Sequence, residues 1–338
     1  MKRILLLTTG GTIASRRGRG GLAPSLGAES LLGVLGVCRP DVTLVGESVM
    51  NLDSSNIQPE HWQLLARRIY SALDSCDGII ITHGTDTMAY TASALAFMLR
   101  NLGQSVVLTG SQLPSEAPGS DAARNMHIAL EAVLGGITGV TVAFGSRVIN
   151  GTRAVKTSTA NFDAFESINA RPMAVLNSDG LSIFEHAVSN RGNAASITLE
   201  DGICGDVFLL KIVPGTRPEI FRALMDMGYR GVVVEAFGSG CVHYEGRDLA
   251  AGVRSLSEAG IPVVVVSQCL RGRVNLSAYE TGIRLLDAGA IGGNGMTTES
   301  AVVKLMWALG KTRDRAEVSE IFSTDYAGEA GFVNTDSI

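Results

Sequence analysis

Short apolar runs alternate with helical patterns along most of the chain, and this alternation limits the fold more than any other feature. The first run, residues 4–7, has no polar alternation, which is typical of a strand buried on both faces. Similar runs at 78–82 and 105–109 are followed by helical patterns at 88–100 and 121–134. Repeated strand and helix signals in this order predict a mostly parallel sheet with helices on both faces.

The length of 338 residues predicts two domains, since a domain typically holds roughly 150 residues. Periodicity is lost between residues 183 and 206, where Asn, Ser, Gly and charged residues are frequent. We therefore predict an N-terminal catalytic domain at 1–182, a linker at 183–206 and a smaller C-terminal domain at 207–338. The fold class is α/β, with a larger doubly wound, flavodoxin- or Rossmann-like domain and a second α/β domain.

Composition argues against several classes of function. The net charge of -5 gives no indication of nucleic acid or of an anionic membrane as partner. The first apolar run stops at Thr8 and is too short for a secretory signal, and no later run is long enough to cross a bilayer. The five cysteines are scattered without a CxxC pair, so we predict reduced thiols, no metal site and a cytoplasmic location.

The first strand ends in a pair of glycines followed by Thr12. Ligands of open α/β sheets bind at the carboxyl ends of the strands, which is where Thr12 is placed. A glycine turn leaves its hydroxyl accessible and lets backbone N–H groups approach an oxyanion. The turn alone leaves three interpretations open: a nucleophile, a phosphate-binding turn, or a tight turn capped by Thr12.

Two further polar turns follow predicted strands and are expected at the same edge of the sheet. The first lies at residues 53–56, and the second contains Thr85 and Asp86. A threonine nucleophile needs a base, and Lys156 is a candidate because its neighbours are small or apolar. Asp86 would orient the amine, although a surface lysine is an equal alternative. For His83 we favour a supporting role in the turn over a catalytic one.

A basic, glycine-rich stretch at residues 16–21 follows the Thr12 turn. We interpret it as a mobile loop or lid rather than a nucleic-acid patch, because the chain as a whole is acidic.

The two glycine turns are parts of longer motifs. The sequences Thr9-Gly10-Gly11-Thr12-Ile13-Ala14 and His83-Gly84-Thr85-Asp86-Thr87-Met88-Ala89-Tyr90-Thr91 resemble the two signature motifs of the bacterial-type L-asparaginase family. The chain is most similar to the cytoplasmic type I branch. The similarity continues through residues 50–56, 107–112, 163–165, 268–269 and 292–309, so that it covers essentially the whole chain.

The resemblance implies amide hydrolysis without a cofactor. By similarity, Thr12 attacks the side-chain carbonyl of L-asparagine, ammonia leaves, and water hydrolyses the aspartyl ester. Thr85, Asp86 and Lys156 match the family's proton relay. Substrate-binding positions matched by similarity are Asp53, Ser54, Ser55, Thr85 and Asp86. The family also implies a homodimer or homotetramer and, since one methylene separates the substrates, weak glutaminase activity.

The chain departs from the family pattern in two places. Leu22 stands where many members carry a Tyr that contacts the nucleophile, so Lys156, a water or a Tyr from elsewhere would have to replace that contact. Residues 238–241 stand where an Asn often reaches the site of a neighbouring subunit.

Two other functions are alternatives to L-asparaginase. One is the ammonia-producing subunit of a tRNA-dependent amidotransferase, which predicts a further N-terminal domain and a basic surface. The acidic chain, which starts at the first strand, argues against it. The other is a non-catalytic amino-acid sensor on the same scaffold.

Overall fold

The structure is a computed structural model that describes residues 1–18, 21–35, 39–188 and 196–331. Parts of four predicted features lie outside the described residues: Arg19 and Gly20 of the basic stretch, Cys38, residues 189–195 of the linker, and residues 332–338 of the C-terminal domain. The chain divides into two compact units. The first holds Met1–Ser167 and Arg171–Asp201, and the second holds Ile168–Ala170 and the chain from Gly202 onward.

The first unit contains most of the strands. Its strands are β1 (Lys2–Gly10), β2 (Ser15–Gly18), β3 (Gly21–Pro24), β4 (Val42–Leu52), β5 (Gly78–Thr82), β6 (Leu99–Arg100), β7 (Ser105–Thr109), β8 (Gly139–Phe144), β9 (Arg147–Asn150), β10 (Ala154–Lys156), β11 (Phe165–Ser167), β12 (Ala174–Asn177), β13 (Gly180–Ile183) and β14 (Thr198–Leu199). Its helices are α1 (Ala28–Leu35), α2 (Pro59–Ala72), α3 (Met88–Met98) and α4 (Ala122–Leu134).

Within the described residues, eight strands form the main sheet in the order β13-β12-β9-β8-β7-β5-β1-β4. The strands from β4 to β8 are parallel, which confirms the predicted mostly parallel sheet. In β5 and β7 every residue is buried, as expected for strands covered on both faces. Leu6, Ile80 and Val107 form a core with Met126 and Ala129 of α4.

The sheet continues beyond β8 as an antiparallel extension that the sequence did not predict. β8 pairs with β9, β9 with β12, and β12 with β13, all antiparallel. Each of the three added strands has only four residues. So short a strand carries too few alternations to distinguish it from a loop.

The second unit is a smaller α/β structure, as predicted. Its sheet has the parallel order β15-β16-β17-β18. The elements, in chain order, are β15 (Val207–Lys211), α5 (Glu219–Asp226), β16 (Gly231–Ala236), α6 (Leu249–Glu258), β17 (Val263–Ser267), α7 (Glu280–Asp287), β18 (Ile291–Gly292), α8 (Thr298–Lys311) and α9 (Arg315–Ser323). Its core includes Phe221, Val234, Leu249 and Val265.

The segment 183–206, predicted as a linker, contains secondary structure in its described part. It holds a 3-10 turn at Glu185–Ala187 and the strand β14, which pairs antiparallel with β6. This pairing assigns the segment up to Asp201 to the first unit. The same contact explains why the helical pattern predicted to Arg100 ends at Met98, since residues 99 and 100 form β6.

The basic stretch after Thr12, predicted to be a mobile loop or lid, contains paired strands in its described part. Its described residues form a hairpin in which β2 pairs antiparallel with β3, from Ser15 opposite Pro24 to Gly18 opposite Gly21. None of the helices in the described residues has the length and apolar character needed to span a bilayer.

Candidate active site

Three polar turns lie at one edge of the main sheet, as predicted. β1 lies between β4 and β5 and is parallel to both, so these three strands end at the same side. A 3-10 turn at Thr12–Ala14 follows β1, and another at Ser54–Asn56 follows β4. Thr85 and Asp86 follow β5. The order of the strands therefore collects the polar residues of distant segments at one place.

The three turns approach closely at Gly11 and Gly84. Gly11 has φ +77, and a Cβ added to it would lie 2.3 Å from the Gly84 nitrogen. A Cβ added to Gly84 would lie 2.6 Å from the Ser54 Oγ. No larger residue fits at either position, since real Cβ atoms essentially never come within 3.0 Å of another heavy atom. Gly11 and Gly84 are thus required by the close approach of their two backbones and by the Ser54 side chain packed against Gly84.

Lys156 joins this edge from β10, which pairs with β11. Its Nζ lies 2.7 Å from the Thr85 Oγ1 and 2.6 Å from the Asp86 Oδ1. The Lys156 side chain is 18% exposed and that of Asp86 is 63% exposed. The structure therefore brings together the predicted residues Thr85, Asp86 and Lys156, with the amine shielded and the carboxylate open to a ligand.

The turn at Ser54 supports the turn at Asp86 directly. The Asp86 N–H donates to the Ser54 Oγ at 3.2 Å, and the Thr87 hydroxyl donates to the Ser54 carbonyl at 2.7 Å. Ser54 is buried. Its buried position favours a structural contribution to the site, and it fixes the backbone from which Asp86 projects.

Asp53 and Ser55 are exposed beside Ser54 and form a pair of polar groups. The Asp53 Oδ1 accepts hydrogen bonds from the Ser55 hydroxyl at 2.6 Å and from the Ser55 N–H at 2.9 Å. These bonds lower the pKa of Asp53 below its ordinary value, because they stabilise the charged carboxylate. Asp53 is thus an ionised, oriented group that can meet a cationic ligand.

Thr12 begins the turn that follows the glycine pair and is half-buried. In the described part of the chain its hydroxyl has no hydrogen-bond partner. The Ser15 hydroxyl donates to the Gly11 carbonyl at 2.8 Å, which ties the hairpin to the turn. Leu22 lies on β3 opposite Arg17, and its side chain has no polar atom to contact Thr12.

His83 has the supporting position predicted for it. It is buried, its Nδ1 lies 2.7 Å from the Gly84 carbonyl, and its Nε2 lies 2.9 Å from the Thr91 Oγ1. Burial lowers the pKa of His83 to about 4, and the bond to Gly84 only partly opposes this effect. The ring is therefore neutral near pH 7.

The sequence reasoning missed two buried residues that hold the loop after β7. Asp121 accepts from the Gln112 N–H at 3.0 Å and from the Leu113 N–H at 3.2 Å. Asn125 donates to the Asp121 Oδ2 at 3.0 Å and to the Gly110 carbonyl at 2.9 Å. Asp121 stood at the start of the helical pattern predicted at 121–134, and that position gave no signal of a role in holding the preceding loop.

No metal cluster occurs among the residues that the structure describes, since no group of three His, Cys, Asp or Glu side chains there could hold an ion. The polar groups at the strand edge are hydroxyls, carboxylates and one amine, which suit nucleophilic chemistry and the binding of a small charged molecule.

Family models match both parts of the chain. The N-terminal asparaginase model matches residues 3–189, and the C-terminal domain model of the glutaminases and asparaginases matches residues 206–322. The chain belongs to the asparaginase family. Thr12, Asp86 and Lys156 all lie within the N-terminal match.

Individual relatives agree with this family assignment. An L-asparaginase of Thermococcus kodakarensis is 40% identical over 97% of this chain and 98% of the relative. The solved thermostable L-asparaginase of that organism has a TM-score of 0.91, with 98% of this chain and 100% of the other covered. L-asparaginase I of Vibrio cholerae is 31% identical with a TM-score of 0.87, covering 98% and 99% of the two chains.

A second kind of relative is a Glutamyl-tRNA(Gln) amidotransferase subunit of Pyrococcus horikoshii. It is 38% identical over 96% of this chain and 76% of its own length. The family therefore includes proteins with two different names at similar identity.

Proposed function

We propose that the protein is an L-asparaginase, an amidohydrolase that converts L-asparagine to L-aspartate and ammonia through an acyl ester on Thr12. The observation that carries the proposal is the Lys156 amine within hydrogen-bond distance of both Thr85 and Asp86, at the strand edge that presents Thr12. The L-asparaginases among its relatives support this choice.

The polar groups of the site suit a free amino acid. Asp86 offers an exposed carboxylate to the ligand's ammonium, and Asp53 offers a second one. The Ser55 hydroxyl and backbone N–H groups of the turn are donors for the ligand's carboxylate. We infer that Asp53, Ser54, Ser55, Thr85 and Asp86 bind the substrate, with Ser54 acting through the backbone it supports.

Hydrolysis proceeds in two steps. The Thr12 Oγ1 gives up its hydroxyl proton and bonds to the substrate's amide carbon, and the carbon–nitrogen bond breaks as that proton passes to the nitrogen, which leaves as ammonia. Water then attacks the ester, which releases aspartate and restores the Thr12 hydroxyl. Lys156 holds the Thr85 hydroxyl, and this pair moves the proton and orients the nucleophile or the water. Leu22 cannot take part in this proton transfer, because its side chain has no group that donates or accepts a proton.

The amidotransferase subunit is the second candidate, because relatives with that name match nearly the whole chain. Such a subunit would release ammonia for a partner bound to tRNA. A non-catalytic sensor is disfavoured by the assembled Thr85, Asp86 and Lys156, since binding alone needs no shielded amine beside a hydroxyl.

The deciding experiment measures ammonia release from L-asparagine and from L-glutamine at matched concentrations. We expect the purified chain to hydrolyse asparagine without tRNA, with weaker turnover of glutamine, because a difference of one methylene is worth only ~1 to 3 kcal/mol. Turnover that requires added tRNA or a partner protein would favour the second candidate. Binding of aspartate without any turnover would favour a sensor.

We also propose a cytoplasmic homodimer or homotetramer, as the resemblance to the type I branch implies. All the cysteines in the described residues are free thiols, which suits a reducing compartment. Light scattering on the purified protein measures the number of subunits directly.

A further inference from the structure

A chain of buried hydrogen bonds runs from α2 to the second signature motif. The Trp62 Nε1 lies 3.1 Å from the Thr91 Oγ1, and that oxygen lies 2.9 Å from the His83 Nε2. The His83 Nδ1 then lies 2.7 Å from the Gly84 carbonyl oxygen. All three side chains are at most 5% exposed.

The chemistry of these groups allows only one arrangement of donors and acceptors along this series of hydrogen bonds. An indole N–H can only donate, so Thr91 accepts from Trp62 and donates its own hydroxyl proton to the His83 Nε2. A carbonyl can only accept, so the proton of the neutral ring sits on Nδ1 and points at Gly84. Burial, which lowers the pKa of His83 to about 4, keeps the ring in this neutral form.

The series of hydrogen bonds ends at the peptide group that joins Gly84 to Thr85. In a planar trans peptide the carbonyl and the following N–H point in opposite directions, so fixing the carbonyl fixes the entire unit. Gly84 has no side chain to restrict that plane. Within the described residues, its carbonyl has no other hydrogen-bond partner.

We propose that His83 is a positioning residue for amide hydrolysis: its Nδ1–H holds the Gly84–Thr85 peptide and thereby presents the Thr85 hydroxyl to Lys156. The inference rests on the proposed L-asparaginase activity. It assigns a role in the reaction to a residue that touches neither the substrate nor the nucleophile.

Two substitutions separate this role from a merely structural one. In Asn, the Nδ2 is as many bonds from the backbone as the His Nδ1, so His83→Asn keeps a donor for Gly84 and loses the acceptor for Thr91. In Gln, the terminal atoms match the His Nε2, so His83→Gln keeps a partner for Thr91 and loses the donor for Gly84. Each variant removes one of the two hydrogen bonds of His83, and both change the same buried position.

The experiment measures kcat and KM for asparagine, normalised to folded protein, together with the urea midpoint. We expect both variants to lose similar stability. His83→Gln should lower kcat about 10- to 100-fold with little change in KM, because the relay is misplaced while the groups at 53–55 and Asp86 remain. His83→Asn should keep kcat within about threefold of wild type, as should Thr91→Val, which leaves the Gly84 bond in place.

Equal values of kcat for His83→Asn and His83→Gln, in an active wild type, would overturn the inference alone. A wild type that does not hydrolyse asparagine would overturn the proposed function and this inference with it. If His83→Gln does not fold, the imidazole nitrogen NMR spectrum of the wild type decides: a proton on Nδ1 supports the proposal, and a proton on Nε2 contradicts it.

Discussion

Two lysine–carboxylate pairs, one in each unit, show how environment gives the same chemistry different uses. Lys156 and Asp86 form a pair with side chains 18% and 63% exposed, and the amine also contacts the Thr85 hydroxyl. Lys304 and Glu329 form a pair in which both side chains are 0% exposed. In the Lys156–Asp86 pair, called the open pair below, the exposed carboxylate can also bind a ligand. In the Lys304–Glu329 pair, called the closed pair, neither side chain can reach a ligand, so the pair can only stabilise the fold.

The buried pair anchors the chain that follows α9. The Lys304 Nζ donates to the Thr324 carbonyl at 2.7 Å, and Glu329 accepts from the N–H groups of Tyr326 and Ala327. Burial alone would raise the pKa of Glu329, but the Lys304 ammonium, a hydrogen bond with the Asp325 side chain and the Tyr326 N–H together hold the pKa below its ordinary value. Each charge is therefore compensated only while the other is present.

Among substitutions in these ion pairs, the largest effect should come from removing the Lys156 amine. We expect Lys156→Met to lower kcat for asparagine by about 10²- to 10⁴-fold, the usual contribution of a positioned proton-transfer group. Stability should change by less than about 1 kcal/mol, because the released Asp86 carboxylate is well exposed and is solvated by water.

The matched control is Lys211→Met, which removes an exposed lysine that pairs with Glu235 in the other unit. This variant should keep wild-type turnover. If Lys156→Met loses stability but not kcat, the Lys156–Asp86 pair serves the fold rather than the reaction, and the contrast between the two pairs is wrong.

The closed pair should give the opposite result. We expect Lys304→Met to lower the free energy of unfolding by about 3 to 5 kcal/mol, since it leaves the Glu329 carboxylate buried without its cation. Turnover per folded molecule should be unchanged. Urea unfolding and ammonia release measure the two quantities on the same sample.

Replacing both members, as in Lys304→Met with Glu329→Leu, should recover part of the lost stability, because no buried charge remains. A double variant less stable than Lys304→Met alone would show that the pair is not the source of the loss.

Acid should lower the stability of the two units in different pH ranges. The pKa of His83 is about 4 in the folded chain, against 6.5 for the free group, so the unfolded chain binds more protons between these values. The free energy of unfolding should therefore fall by about 3 kcal/mol as the pH drops from 6.5 to 4. Glu329, with its lowered pKa, should contribute only as the pH falls below its ordinary value of 4.5.

Urea unfolding of wild type and His83→Asn across this range checks the assignment. The variant should show a flatter pH dependence between 6.5 and 4. An identical slope in both proteins would remove His83 as the cause.

The smallest effect is expected for an ion pair exposed on both sides. Arg16 on β2 contacts both carboxylate oxygens of Glu116, and the side chains are 56% and 39% exposed. We expect Arg16→Gln to leave the urea midpoint nearly unchanged, because water and salt screen such a pair. A clear loss of stability would mean that side-chain exposure does not predict how much an ion pair contributes to the free energy of unfolding.

The sequence predicted the part of the site that depends on local patterns. Thr12, Asp53 and Asp86 each follow a strand that could be recognised, and parallel strands bring such positions to one edge. The glycines at 11 and 84 could be noticed in the same way, although only the structure shows that they touch.

Features that depend on distant pairing could not be predicted. Lys156 reaches the site from a three-residue strand whose partner was not recognised. Its residue type and neighbours made it a candidate base beside Asp86, with a surface lysine as an equal alternative, and its grouping with Thr85 came from the resemblance. Lys304 stands in an apolar helical run, and its partner lies 25 residues further on in an irregular segment. Neither spacing nor composition indicates such contacts, because the fold creates them.

The central claim is that Thr12 carries the acyl group during turnover. The most direct measurement is rapid acid quenching of the protein with asparagine, followed by mass spectrometry of the peptide that contains Thr12. Our account predicts a fraction of this peptide with an added aspartyl group on Thr12, and none in Thr12→Ala, which should also release no ammonia. Turnover by Thr12→Ala, or an adduct on any other residue, would contradict the account.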